Sequence, residues 1–236
     1  MSMIPDGATS KGDLHAAART ERQLLELGIG DPTFATVSYV PARLLVFAGA
    51  GEFEKGLRWL EPWLERSGWD DCGDRERDFH NLARFALYHA AAGAQERARA
   101  LLDRGKAVAP AFSEIRVSTK QWYEAHLWSA LTYVVLREDQ SAEEFLAVVG
   151  RDEPRLIAHT RRLWRAIDQL RKISRMGESA DLTEFERCCV ELQANAQAGV
   201  AMMLEALQSR LATGHLPLGE HAPSSEAVVE VGDANG

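Results

Sequence analysis

The most informative helical pattern in this sequence runs from Leu82 to Pro110, LARFALYHAAAGAQERARALLDRGKAVAP. Apolar and small residues recur at helical spacing on both sides of Gly93, and Pro110 closes the second run because proline cannot continue a helix. Gly93 suits the turn between the two runs, since glycine adopts positive φ without a Cβ clash. We therefore expect an antiparallel pair of helices. Three small side chains predict that the two helices approach closely: Ala86, Ala98 and Gly105.

Helical periodicity continues on both sides of this stretch, and no convincing strand alternation is present. Pro62 lies inside the apolar run that begins at Phe53, so we expect the helix to kink or to restart there. Beyond Pro154 the predicted helices are longer, and the final one extends from about Thr183 to Ala212. The predicted fold is all-α, with antiparallel helical hairpins followed by two long C-terminal helices. Other helices are expected at about 13–27, 34–48, 75–92, 118–136, 142–149 and 155–176.

The ends of the chain differ in composition from its middle. We expect a flexible N-terminus over residues 1–12, a single all-helical domain over residues 13–213 and a flexible acidic tail over residues 214–236. Within the domain, Asp74 is the expected N-cap of the helix that follows it, because an aspartate side chain accepts hydrogen bonds from the free N–H groups of a first turn.

The Leu82–Pro110 stretch resembles a tetratricopeptide repeat, because it follows the spacing W-x2-L-G-x2-Y, then A-x3-F, then P. The segments AGEFEKG, from Ala50, and AGAQERA, from Ala92, share the pattern A-G-x-x-E-x-small, which is a short internal sequence similarity. The resemblance implies a concave groove that binds another protein. A divergent repeat and three unrelated helical hairpins are the two alternatives. The repeat positions are filled by Leu82, Ala86, His89, Ala98, Leu102 and Pro110.

The same resemblance assigns the residues that would face the groove. Trp122 and Tyr123 lie at a helix entrance, where aromatic side chains are suited to anchoring a partner. The alternative is that these aromatic side chains fill the core and that His80 bonds only to a neighbouring helix end. By the resemblance, the residues of the groove are Ser38, His80, His126, Ser129 and Tyr133.

The chain also resembles the all-helical immunity proteins of bacterial polymorphic-toxin systems. The segments NLARFALYHAAAGAQERARALL and ADLTEFERCCVELQANAQAG carry this resemblance, together with modest size and acidic balance. It implies a protein that occludes the active site of a toxin domain, with acidic residues that meet a basic surface. Asp70, Asp71 and Asp74 are the candidates, since they cluster in a predicted loop.

Composition and missing motifs exclude several function classes. The net charge of −8 argues against nucleic acid as the partner, and no apolar run approaches the roughly 20 residues of a membrane span. Three cysteines give no disulfide framework, so we expect a cytoplasmic protein. No metal, nucleophile or phosphate motif is present, which predicts a non-enzymatic protein without metal or cofactor. An all-helical enzyme that lacks a short motif is the alternative.

A basic face is predicted on the helix after Pro154. At about 100° per residue its four basic side chains share one sector, opposite the apolar stripe. This face either docks an acidic partner or is solvated and neutralised by the acidic tail or by the loop that holds Asp70. Its residues are Arg161, Arg165, Lys172 and Arg175, with Arg162 at the edge.

Overall fold

The computed structural model describes residues 44–67, 73–115, 119–177, 181–195 and 197–213, with the backbone alone for residues 62–67. Every regular element in these ranges is helical, which confirms the all-α class. Ser38, Asp70 and Asp71 lie outside the described residues, as do both predicted flexible ends and the predicted helices before residue 44. A helical segment at 44–49 precedes the labelled helices. These are α1 (Phe53–Ser67), α2 (Arg75–Ala91), α3 (Gln95–Val108), α4 (Thr119–Val135), α5 (Asp139–Gly150), α6 (Ala158–Met176), α7 (Thr183–Ala194) and α8 (Ala198–Thr213).

Helix α1 is continuous through position 62 and does not restart there. Helix α2 begins as the sequence predicts, because the Asp74 carboxylate accepts hydrogen bonds from the backbone N–H groups of Glu76 and Arg77 at 3.1 and 3.3 Å. No helix in the described part of the chain has the length and apolarity that crossing a membrane requires.

Helices α2 and α3 run antiparallel. Gly93 lies in the turn between them with φ of 85°. Near the end of α3, a Cβ at Gly105 would lie 3.6 Å from the Cβ of Leu82 in the middle of α2 and 3.7 Å from Phe79 in its first half. That distance is an ordinary van der Waals contact, so the close packing of these two helices does not require glycine at position 105.

Helices α4 and α5 are also antiparallel, and α4 is buried along most of its length between α2, α5 and α6. The Tyr123 hydroxyl, near the start of α4, donates to Asp152 just beyond the end of α5 at 3.0 Å. Arg137, in the turn between the two helices, adopts φ of 63°. Its guanidinium donates to the backbone carbonyls of Ser174 and Leu211, which ties this turn to the ends of α6 and α8.

The prediction of one final long helix is wrong. Helix α7 ends at Ala194 and α8 begins at Ala198, and the Asn195 side chain donates to the Glu191 carbonyl in the break. A straight helix over the predicted range would be roughly 45 Å long at 1.5 Å per residue. The break instead lets α8 pack against both α6 and α7, so that two shorter apolar faces are buried.

Arg210 connects α8, the last helix of the described chain, to α1, the first labelled one. Its guanidinium donates to both carboxylate oxygens of Glu54 at 2.9 and 3.1 Å. It also donates to the carbonyls of Gly51 and Ala91 at 2.8 and 2.7 Å, and it lies 4.8 Å from the centre of the Phe53 ring. The hydrogen bond from Arg210 holds the pKa of Glu54 below its usual range. One side chain thus joins α8, α1 and the end of α2.

Candidate functional site

The predicted partner-binding residues of α4 and α2 separate into two regions on opposite sides of α4. Trp122, His126 and Tyr133 share one face at about 100° per residue, whereas Glu124 faces the other way. His80 of α2 lies beside Glu124 and therefore does not share a groove with His126. The structure thus places the two histidines, which the repeat pattern treats as equivalent, in different surroundings.

The first region is an aromatic groove between α3 and α5. Its volume is about 220 Å³. His126 forms the floor, where its ring meets Phe79 edge-on at 5.0 Å between centroids and Phe145 at 5.7 Å. Lys106 stands on the α3 side and is exposed, as is Glu144 on the α5 side. The groove is lined by Phe79, Lys106, Ala109, His126, Glu144, Phe145 and Val148.

The floor of the aromatic groove is uncharged at neutral pH. The His126 side chain is only 8% exposed, and burial lowers its pKa to about 4. Its Nδ1 lies 2.9 Å from the Trp122 carbonyl oxygen, so Nδ1 carries the hydrogen and donates it. The nearest ring is that of Trp122, at 4.0 Å between centroids. A neutral imidazole among aromatic rings favours an apolar ligand at this point.

An exposed aromatic side chain lies against Trp122, whose ring in turn contacts the groove floor at His126. Phe112, in the short helix between α3 and α4, is 49% exposed and meets Trp122 edge-on at 5.2 Å. Trp122 itself is buried, with its indole N–H donating to the Pro110 carbonyl at 3.0 Å. Tyr123 is also buried, and desolvation and the Asp152 hydrogen bond raise its pKa to about 12. The sequence pattern predicted the two buried rings as partner-binding residues and did not point to the exposed Phe112.

The second region is a polar cluster around Glu124. The Glu124 carboxylate accepts a hydrogen bond from His159 Nε2 at 3.0 Å, and its other oxygen lies 3.6 Å from His80 Nε2. Burial alone would raise the pKa of Glu124, but the contacts with His159 and His80 outweigh burial and hold it well below its usual range. Lys120 Nζ lies 3.7 Å from the same carboxylate. Glu124 is therefore ionised and already surrounded by donors.

The cluster extends along α2 and α4 away from Glu124. Arg84 lies over the Trp128 ring, 5.7 Å from its centre, and Tyr88 follows one turn later on α2. On the opposite side, the Gln197 amide nitrogen lies 3.3 Å from His159 Nε2. We use the name polar cluster for His80, Arg84, Tyr88, Glu124, Trp128, His159 and Gln197.

The remaining predicted residues have structural contacts. Asp74 caps α2, so its carboxylate is engaged with backbone N–H groups. Tyr133 and Ser129 are buried, and Lys106 Nζ lies 5.0 Å from the centre of the Tyr133 ring. Within the described ranges, no group of three or more His, Cys, Asp and Glu side chains is arranged to hold a metal ion. Cys188 and Cys189 are buried free thiols.

The basic face of α6 forms ion pairs with neighbouring acids. Arg165 lies 3.1 Å from Glu153, and Lys172 lies 2.7 Å from Asp168. Arg175 is the most exposed of the four, at 72%, and its partner Asp139 is 3.9 Å away. These acidic partners come from α5, α6 and the segment between them. Because they neutralise the basic side chains, they favour the interpretation that this face is solvated over the interpretation that it docks a partner.

Comparison of the chain with profiles of known protein families, with curated proteins and with solved structures finds no match. The two resemblances drawn from the sequence therefore remain predictions.

Proposed function

We propose that the protein is a non-enzymatic scaffold whose aromatic groove binds a segment of another protein. The observation that carries the proposal is the continuity between exposed Phe112, the buried Trp122 ring and the floor at His126. Aromatic clusters of this kind dominate binding energy at protein interfaces. The volume of about 220 Å³ is below the roughly 300–1,000 Å³ of small-molecule pockets, which favours one inserted side chain.

The groove also specifies the chemistry of the bound segment. An apolar or aromatic anchor would rest on the neutral His126 ring and on Phe145. Flanking charges would meet Lys106 on one side and Glu144 on the other. The segment therefore carries an acidic residue before or after its anchor and a basic residue on the opposite side.

Two partner classes fit this proposal. The more specific one is a bacterial toxin domain that the protein neutralises, as the resemblance to immunity proteins implies. The other is the client of a tetratricopeptide-like adaptor or chaperone. Both act in the cytoplasm in our proposal, which suits the free thiols of Cys188 and Cys189.

Site-specific photocrosslinking tests the proposal. A photoreactive amino acid placed at Phe112 is expected to capture a discrete partner in extracts of the source cells. The same probe at Val190 of α7, which is 62% exposed, is the matched control for an exposed apolar position. Ala109→Trp should abolish the Phe112 crosslink because it fills the groove. Ala100→Trp, on an exposed face of α3, should leave the crosslink intact.

The outcomes separate the alternatives. Equal crosslinking from Phe112 and Val190, or a crosslink that survives Ala109→Trp, would show that the groove is not the binding surface. If Asp70→Ala with Asp71→Ala weakens capture more than Ala109→Trp does, the acidic loop is the main contact. Rescue of cell growth when the chain is co-expressed with the captured partner identifies that partner as a toxin.

A further inference from the structure

Arg84 is a guanidinium with unused hydrogen-bonding capacity. Among the described residues it has no hydrogen bond or ion pair, and its contact is with the Trp128 ring at 5.7 Å. Burial lowers the pKa of Arg84, whereas the nearby Glu124 charge favours the protonated form. A guanidinium stays charged at neutral pH, and Arg84 is only partly exposed, so its charge has neither full hydration nor a hydrogen-bonding partner in the described chain. The five donors of Arg84 are therefore available to a bound group.

Two neutral donors beside Arg84 are also unpaired. The indole N–H of Trp128 and the hydroxyl of Tyr88 have no hydrogen-bond partner within the described chain, although these side chains are only 5% and 2% exposed. Burial raises the pKa of Tyr88, so its hydroxyl keeps the proton at neutral pH. An unsatisfied buried donor costs about 1–3 kcal/mol. Both groups neighbour the unpaired guanidinium of Arg84, since Trp128 contacts it through its ring and Tyr88 lies one helical turn along α2.

The acceptor is not supplied by the cluster itself. Glu124 is the nearby carboxylate, and its oxygens already face His159, His80 and Lys120. Arg84 differs from its buried neighbours in being partly exposed, so it provides the route by which a small group reaches Trp128. An external anion would thus meet donors from α2 and from α4.

We propose that Arg84, Tyr88 and Trp128 bind the carboxylate group of a ligand between α2 and α4. A carboxylate matches the planar fork of a guanidinium and accepts two parallel hydrogen bonds from it. Its single negative charge also matches the charges of this part of the described chain, where Arg84 and Lys120 lie near one carboxylate, Glu124. A phosphate dianion would leave this site with excess negative charge. The carboxylate comes either from a free small acid or from a protein chain terminus.

Indole resonances in ¹H–¹⁵N NMR spectra provide a direct test. The chain has six tryptophans, and the Trp128→Phe variant identifies the Trp128 signal by its loss. Titration with sodium acetate at constant ionic strength should shift that signal in a saturable manner, whereas sodium chloride should not. Tyr88→Phe removes only the hydroxyl and should weaken acetate binding about tenfold, equivalent to about 1.4 kcal/mol. Arg84→Lys should weaken it further because lysine lacks the fork.

Titration with acetyl-Gly-Gly, as the free acid and as its C-terminal amide, distinguishes a protein chain terminus from a free small acid as the source of the carboxylate. Tighter binding of the peptide acid than of acetate, with no binding of the amide, assigns the site to a protein terminus. Binding of acetate alone assigns it to a free acid. Three results would overturn the proposal. The first is the absence of a saturable shift, and the second is an acetate affinity of Tyr88→Phe and Arg84→Lys that equals that of the native sequence. The third is tighter binding of inorganic phosphate than of acetate. Ala109→Trp should not change acetate affinity, so this test is independent of the aromatic groove.

Discussion

Replacing His126 by phenylalanine should make the protein less sensitive to acid. In the folded chain, burial lowers the pKa of His126 to about 4, from 6.5 for an ordinary histidine. Below pH 6.5 the unfolded chain therefore binds a proton that the folded chain does not bind. Acidification then favours the unfolded state, and the free energy of unfolding falls as the pH is lowered.

The size of the effect follows from the two pKa values. Each pH unit in the interval between them costs about 1.4 kcal/mol, so His126 accounts for about 2 kcal/mol of lost stability at about pH 5. Phenylalanine keeps a ring against Phe79, Trp122 and Phe145 and cannot be protonated. The variant should lose correspondingly less stability between neutral pH and about pH 5.

Urea unfolding followed by tryptophan fluorescence measures this difference. With a urea dependence of about 2 kcal/mol per molar, the acid-induced drop in midpoint should be about 1 M smaller in His126→Phe than in the native sequence. His89→Phe is a second test at a separate site, because burial also lowers the pKa of His89 to about 4. If the acid-induced drop in midpoint is the same in His126→Phe and in the native sequence, His126 does not contribute to acid sensitivity.

Three further substitutions test the packing. Gly105→Ala should stabilise the protein by about 1 kcal/mol, because the new Cβ meets Leu82 at an ordinary distance and alanine favours helix; a rise in Tm of about 2–4 °C checks this. Gly56→Ala should lower the Tm instead, because its Cβ would lie 3.0 Å from the Cβ of Phe47. Arg210→Met should destabilise by about 2 kcal/mol, measured by urea unfolding, since it removes charged hydrogen bonds to two carbonyls and a carboxylate. Equal Tm changes for the two glycine variants would contradict the first two predictions.

Interactions between neighbouring residues were sufficient to predict some helix ends and turns from the sequence. The cap at Asp74, the turn at Gly93 and the end of α3 before Pro110 depend on neighbouring residues alone, and each lies where the sequence predicts. The break between α7 and α8 depends on what those helices pack against. No breaking residue marks it, since Asn195 and Gln197 are tolerated inside helices.

In the candidate sites, too, local sequence predicts some features, whereas others depend on how the helices pack. The repeat resemblance assigns His126, Ser129 and Tyr133 to one face, and helical spacing over α4 keeps these three positions on one side of the helix. The position of that face relative to the other helices is set by packing, so the sequence did not separate His126 from His80. Glu124 was missed because its histidine partners come from α2 and α6, far along the chain.

The contacts of Arg210 impose an order on folding during synthesis. Glu54 and Arg210 are separated by 156 residues, so all of this intervening segment must leave the ribosome before they meet. Until then the carbonyl groups of Gly51 and Ala91 and the carboxylate of Glu54 lack the guanidinium that later binds them. Bringing together such distant segments requires closure of a long loop, which slows folding. Packing of α8 against the rest of the fold is therefore expected to be a late step. Nascent chains that end before α8 should remain sensitive to protease near α1.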